Sequence, residues 1–287
     1  AAGFGAASIK HDKEKYEHKY EYCDLLITGS GPSGLASAYA AAQNGAKVIL
    51  AEDKSRFGGS LLTNEVTIGN KSGKEWSEEM ISNLKSMPNV IVKNRSQVFG
   101  YYDHNMLVMS ERVSDHLPKT DKYIPKQRLW YIRAKEVVIS SGSIERPLVF
   151  GNNDTPGVML SSAAKEYLKV YGVLVGKKPI IFTNNDSGYE TALEFKKNRI
   201  EPIVLDTRKD TNSEIIKEAK ELNINIKFSY VVVAAKGYKK VKSADIARIS
   251  DDKKSIDKIE NIKCDCICVS GFWTPTIHLA SQSGNKT

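Results

Sequence analysis

No apolar run in the chain approaches the ~20 residues a helix needs to cross a bilayer, and Ala1 to Tyr20 lacks the continuous apolar core of a secretion signal. A membrane partner is not expected, and a cytoplasmic home follows. Cysteine is scarce: of four, Cys23 stands alone, while Cys264, Cys266 and Cys268 alternate with Asp265 and Ile267. That is no disulfide framework. Zinc-binding pairs usually leave two or more residues between cysteines, so the trio reads as one face of a buried strand. No C-x-x-C occurs, which removes dithiol exchange. The histidines His11, His18, His104, His116 and His278 are far apart and form no H-E-x-x-H; His104, within Tyr102-Asp103-His104-Asn105, belongs in a hairpin turn. No catalytic residue and no metal site is assigned.

A concentrated basic patch is also missing. The net charge is +8, but the lysines are scattered, and Lys239-Lys240 and Lys253-Lys254 lie near Asp245, Asp251 and Asp252. Without clustering or a recognition motif this is a solvated face, not a nucleic-acid surface. With 41% hydrophobic and 26% charged residues over 287 positions, the chain has a globular composition and suits two domains of about 100 to 150 residues.

What is present is a strand-turn-helix-strand order. Cys23 to Thr28 is a short apolar run ending at Gly29-Ser30-Gly31-Pro32-Ser33-Gly34; Leu35, Ala38 and Ala42 follow at helical spacing, with Gly45 at the cap and a second strand over Lys47 to Ala51. In such a turn Gly29 permits the sharp exit from the strand. Gly31 lets the backbone approach a pyrophosphate, and Gly34 lets the helix pack on the sheet. Pro32 suits the first helical turn, whose free N–H groups and dipole favour an anion. Glu52, with Asp53 beside it, stands where a carboxylate bonds a ribose diol and repels a 2′-phosphate. NAD or FAD therefore fits better than NADP, and the shared pyrophosphate and adenosine leave the choice between those two open. Six residues beyond Glu52 comes Gly58-Gly59, then Ser60; this resembles flavoproteins of the glutathione reductase type, in which a glycine pair follows the acid.

The order then repeats. Pro179 to Thr183, Ser187 to Lys197 and Pro202 to Asp206 read as strand, helix and strand, and Asn184 to Asp206 spans 22 positions against 23 from Gly29 to Glu52. The second turn, Asn184-Asn185-Asp186-Ser187-Gly188-Tyr189, has one glycine and a carboxylate near the phosphate position, so it reads as a degenerate dinucleotide site. The expected fold is α/β: a Rossmann-like parallel sheet with a second βαβ nucleotide-binding-like domain inserted, of the pyridine nucleotide-disulfide oxidoreductase type. The expected boundaries are an arm over 1–21, a dinucleotide-binding domain over 22–150 to which 264–287 returns, and the degenerate domain over 151–263.

Several stretches together resemble the alpha subunit of heterotetrameric sarcosine oxidase. They are Ala1-Ala2-Gly3, the 24–62 segment ending Phe57-Gly58-Gly59-Ser60-Leu61-Leu62, and Val98-Phe99-Gly100-Tyr101-Tyr102-Asp103-His104-Asn105. Pro156 to Leu160, Phe182 to Ser187 and Ser270-Gly271-Phe272-Trp273 complete the set. The Thr183 to Ser187 stretch is the most specific, since it keeps that family's altered second turn.

The resemblance implies a two-dinucleotide-domain module whose intact site holds NAD. It implies oxidative demethylation of sarcosine to glycine, with formaldehyde and peroxide, on FAD and covalent FMN located on or beside the beta subunit, and beta, gamma and delta subunits as partners. Members continue past Gln282-Ser283 into a last strand, so this chain is expected to be a fragment, inactive alone. Carried over by position, Gly29, Ser30, Gly31, Pro32, Ser33 and Gly34 would hold the pyrophosphate, and Glu52 and Asp53 the ribose. Gly58, Gly59 and Ser60 would approach the phosphates, Val98 would meet adenine through its backbone, and Ser141 and Gly142 would line the same side.

Overall fold

The computed structural model describes residues 5, 9–121, 123–250, 252 and 254–284. The Ala1-Ala2-Gly3 stretch of the resemblance lies outside them. The chain divides into two units, one of Ala1–Gly59, Ile68–Ser141 and Ile277–Thr287, the other of Ser60–Thr67 and Gly142–Thr276.

In the first unit, β1 (Tyr16–Thr28), α1 (Pro32–Gln43), β2 (Val48–Ala51), α2 (Gly73–Ser86), β3 (Val90–Lys93), β4 (Ser96–Tyr102), β5 (Met106–Arg112) and β6 (Gln127–Ile139) follow in order. They build one sheet with strand order β3-β2-β1-β6-β5-β4. β3, β2, β1 and β6 run parallel, β5 pairs antiparallel with β6, and β4 pairs antiparallel with β5. β2 is Val-Ile-Leu-Ala, buried at every position, as a parallel strand covered on both faces must be. α1 is rich in alanine, the best helix former, and buries Gly34, Leu35, Ala38 and Ala42; these small side chains bring its axis close to the sheet. α2 starts with a capping box, Ser72 and Glu75 each answering the other's backbone N–H.

The expected arm over 1–21 does not hold from Tyr16 onward, because β1 begins there and pairs with β6 from Tyr16↔Gln127 to Thr28↔Ile139. The pattern in Tyr16, His18, Tyr20 and Tyr22 has period two, and Tyr20 and His18 stack on Tyr131 at 5.0 and 5.8 Å between ring centroids. Strand pairing comes from that alternation, although none of the four is aliphatic. β6 runs unbroken over 13 residues, matched in length to β1. His104 sits in the β4–β5 turn with φ of 57°.

The second unit contains β7 (Ser143–Glu145), β8 (Val158–Leu160), α3 (Ser161–Tyr171), β9 (Pro179–Thr183), α4 (Ser187–Lys197), β10 (Ile203–Asp206), α5 (Glu214–Glu221), β11 (Asn225–Phe228), β12 (Tyr230–Lys236), β13 (Ser243–Arg248), β14 (Glu260–Lys263), β15 (Cys266–Ser270) and β16 (Trp273–Pro275). A parallel sheet has the order β8-β15-β9-β10-β11; β12-β13-β14 form a meander, and β7 pairs with β16.

Two expectations change here. Residues 264–276 do not return to the first unit, since β15 is a central strand of the second sheet, buried at all five positions; the first unit resumes only at Ile277. Nor do the three cysteines share a face. Cys266 and Cys268 pack with Tyr189 and Phe195, their sulfurs 3.5 Å apart, whereas Cys264 precedes the strand and packs on the opposite side with Ile267 and Val269. Burial pushes the Cys23 and Cys264 thiols up to about 12, leaving them inert packing groups. Among the described residues no helix is long and apolar enough to cross a membrane.

Candidate functional site

β1 ends at Thr28 and α1 begins at Pro32, so the glycine turn lies at a helix mouth. Gly29 has φ of 98°, and a Cβ there would fall 2.3 Å from the Ser140 carbonyl oxygen. A Cβ on Gly34 would fall 2.0 Å from the Gly29 carbonyl oxygen and 2.7 Å from Ser140 Oγ. These two glycines close the turn against the protein itself. Gly31 differs: a Cβ there would meet nothing within 4 Å. Gly31 is the N-cap of α1 and no side chain caps the helix, which leaves the first-turn N–H groups and positive dipole end without a side-chain acceptor. Gly58 donates its N–H to the Ser30 carbonyl at 3.1 Å, and a Cβ on Gly59 would come within 3.0 Å of Gly31 Cα. The glycine pair after the acid is thus laid against the turn.

Ser30, expected among the phosphate-holding residues, is fully buried. It donates its N–H at 2.9 Å and its hydroxyl at 2.5 Å to Glu52 Oε2, so it shapes the loop from beneath. Glu52 Oε1 accepts the Lys54 N–H at 3.0 Å. A carboxylate offers about four acceptor sites; these three bonds, with Asp53 alongside, occupy most of them. Glu52 therefore braces the loop before it can serve any sugar. Burial, with Asp53 alongside, raises the Glu52 pKa above the ordinary glutamate range. In the window above that range the folded state holds a proton the unfolded chain has lost, so stability contributed here falls as pH rises through it. The expected result is that wild type loses unfolding free energy relative to Glu52→Gln as pH rises through weakly acidic values. Denaturant titrations at several pH values check this, and a difference independent of pH would refute it.

Val98 turns its side chain into the core beside Ile49 and Met109, leaving only its backbone, next to a bulge between Val98 and Gly100. Ser141 directly follows Ser140 at the end of β6. Ser60 and Gly142 fall in the second unit, where Gly142 accepts the Thr276 N–H at 2.9 Å. The residue that sequence reasoning missed is Ser140. Its hydroxyl donates toward the Thr28 and Gly29 carbonyls at 2.9 and 3.0 Å, tying the turn to β6. Its only signal was its place just after a buried parallel run.

The second turn is built otherwise. A Cβ on Gly188 would lie 2.7 Å from the Thr183 side chain, as Gly34 closes on Gly29, so Thr183, Asn185 and Gly188 match Gly29, Gly31 and Gly34. On that register 29 to 52 and 183 to 206 are both 23 positions. Where Gly31 leaves space, Asn185 places an amide that accepts the Ser187 N–H at 2.9 Å and donates to the Ser270 carbonyl at 3.1 Å. Asp206, at the ribose position, is fully buried; it accepts the Tyr189 hydroxyl at 2.8 Å and the Arg208 guanidinium at 2.8 to 3.2 Å. Arg208 Nη1 also pairs with Asp186 Oδ1 at 2.8 Å, without hydrogen-bond alignment. Burial and the Asp206 carboxylate push the Tyr189 phenol up, so it remains a donor. Both ligand-binding positions are filled by the chain's own groups.

A glycine turn at a bare helix mouth, followed by an acid and a glycine pair, defines a dinucleotide-binding oxidoreductase fold. The chain belongs to the pyridine nucleotide-disulphide oxidoreductase family, whose model matches residues 23–287. It is similar to sarcosine oxidase subunit alpha of Rhizobium meliloti, 38% identical over 100% of this chain and 28% of that protein. It is also similar to the subunit of the same name from Corynebacterium sp. strain P-1, 31% identical over 99% of this chain and 30% of that protein. The chain thus spans under a third of the curated relatives it matches. Among solved structures, thioredoxin reductase of T. acidophilum shares the fold at a TM-score of 0.68 and 16% identity, over 92% of this chain and 82% of that one.

Proposed function

We propose that the first unit holds the pyrophosphate and adenosine of NAD, as the nucleotide-binding module of a sarcosine oxidase alpha-type subunit. The observation that carries this reading is the open space at Gly31, at the mouth of an uncapped helix. Gly29, Gly31, Pro32, Ser33 and Gly34 form the phosphate cradle, with Gly58 and Gly59 bordering it. Glu52 and Asp53 meet ribose hydroxyls, the Val98 backbone meets adenine, and Ser141 lines the same side. NAD when bound is a hydride acceptor, but in this reading it is held structurally. Demethylation of sarcosine to glycine, with formaldehyde and hydrogen peroxide, belongs to FAD and FMN with the beta, gamma and delta subunits. The filled second turn supports this division, because hydride exchange between NADH and a resident flavin needs two working nucleotide sites.

The test is to denature the purified 287-residue chain and identify what it releases, then to titrate the stripped chain with NAD and assay dye reduction by NADH. NAD release or binding without dye reduction is expected. Released FAD with NADH-driven dye reduction would replace this reading with a free-standing FAD-dependent NADH oxidoreductase. Binding of neither nucleotide would remove both.

A further inference from the structure

The outer face of the β4-β5-β6 meander carries a second feature, beside the residues proposed to hold the nucleotide. Along β4 and β5, Val98 and Met109 point into the core, so by strand alternation Gln97, Ser110 and Arg112 face outward. Gln97 stands opposite Ser110, and Arg112 opposite Gln127. With Arg95 and Asp53 these residues line a cleft of about 320 Å³.

Arg95 and Arg112 are fixed to each other by backbone. The Arg112 N–H donates to the Arg95 carbonyl at 2.9 Å, and the Arg95 N–H donates to the Lys54 carbonyl at 2.9 Å. Arg95 is held at φ of 50°, a left-handed conformation uncommon for a residue with a side chain and enriched at ligand sites.

The charges on this sheet are paired unevenly. On the same sheet Lys93 and Arg128 pair with Glu111, Lys126 with Glu14 and Lys135 with Asp24. Arg95 and Arg112 make no ion pair among the described residues, and Asp53 is the one acid in the lining. The Gln127 amide nitrogen is engaged by Asp115 at 3.2 Å, leaving the Gln97 amide and the Ser110 hydroxyl as further donors.

We infer that this cleft is a phosphate-binding site. Two planar guanidinium forks with a hydroxyl and an amide match the several acceptor oxygens of a tetrahedral dianion better than the two of a carboxylate. The phosphate is either free or carried by a small molecule. Because Ser96 N–H donates to the Glu52 carbonyl, the cleft adjoins the strand end assigned to the ribose; the Glu52 carboxylate opposes a ribose 2′-phosphate there, so a free anion or another phosphoester is the expected occupant and NADP is the contrasting case.

Calorimetric titration of the 287-residue chain with inorganic phosphate tests this, in wild type, Arg95→Ala/Arg112→Ala and the charge-keeping Arg95→Lys/Arg112→Lys. Phosphate is expected to bind wild type, with affinity falling at least about tenfold in the alanine pair and less in the lysine pair. Parallel titrations with NAD and NADP name the source. Equal affinities, unchanged in the alanine pair, mean a free anion or another phosphoester; tighter NADP binding, lost in the alanine pair, means a phosphate on the nucleotide. No phosphate binding together with equal NAD and NADP affinities overturns the inference, as does phosphate binding indifferent to both arginines. The phosphate titration stands independently of the proposed NAD site: failure of NAD to bind would remove that proposal while leaving this readout intact.

Discussion

Replacing Gly31 with valine is expected to abolish NAD binding while leaving the stability of the chain nearly unchanged. Gly31 has φ of −67° and ψ of −178°, backbone values valine adopts without strain, and a Cβ there meets nothing within 4 Å. With no packing disturbed, the stability change stays within about 0.5 kcal/mol. The branched side chain stands where the diphosphate must approach the backbone, and affinity is expected to fall at least about a hundredfold, roughly 2.7 kcal/mol. Gly34→Ala is the contrast, because its Cβ would overlap the Gly29 carbonyl at 2.0 Å, so stability and binding fall together. Calorimetry with NAD and a thermal melt of both variants separate the cases. Full affinity in Gly31→Val, or a melting loss equal to that of Gly34→Ala, would place the cradle elsewhere.

That contrast marks what could be read from residues alone. The pattern Gly29, Gly31, Gly34 and the acid at Glu52 depends on local backbone geometry, so its place at a strand-helix junction was legible. The division of labour among the glycines was not, because it depends on Ser140, more than a hundred positions away. The same holds for Glu52. Its position at the end of β2 follows from the hydrophobic run before it, but its bonds to Ser30 arise from how the loop folds back. β1 was half-read because its first half alternates tyrosine and histidine with lysine and glutamate, a period-two pattern without aliphatic residues. β11 and β14 were missed as short strands of mixed polarity. The cysteine trio failed for another reason: period two orders side chains only inside a strand, and Cys264 lies before β15 starts.

The second turn shows how a βαβ unit keeps its fold after losing its cradle. Gly188 still allows α4 to close on β9, but Asn185 and the Asp186–Arg208–Asp206–Tyr189 cluster now supply the contacts. Asp206→Ala would leave the buried Tyr189 hydroxyl without its acceptor and Arg208, 30% exposed, without its main carboxylate. The expected cost is about 3 kcal/mol, the lower end for breaking a buried pair, since Arg208 keeps some water. Tyr189→Phe, which removes one hydrogen bond and leaves Asp206 to Arg208, is expected to cost about 1 kcal/mol. Urea unfolding measures both. A loss below about 0.5 kcal/mol for Asp206→Ala would reduce the cluster to a surface ion pair. The same variant also tests whether the ionic cluster itself keeps the turn closed to a nucleotide. Asn185 still fills the position matched to Gly31, so the NAD stoichiometry of Asp206→Ala is expected to equal that of wild type. A second equivalent of NAD bound by Asp206→Ala would instead mean that the ionic cluster, and not the missing glycines, had closed the site.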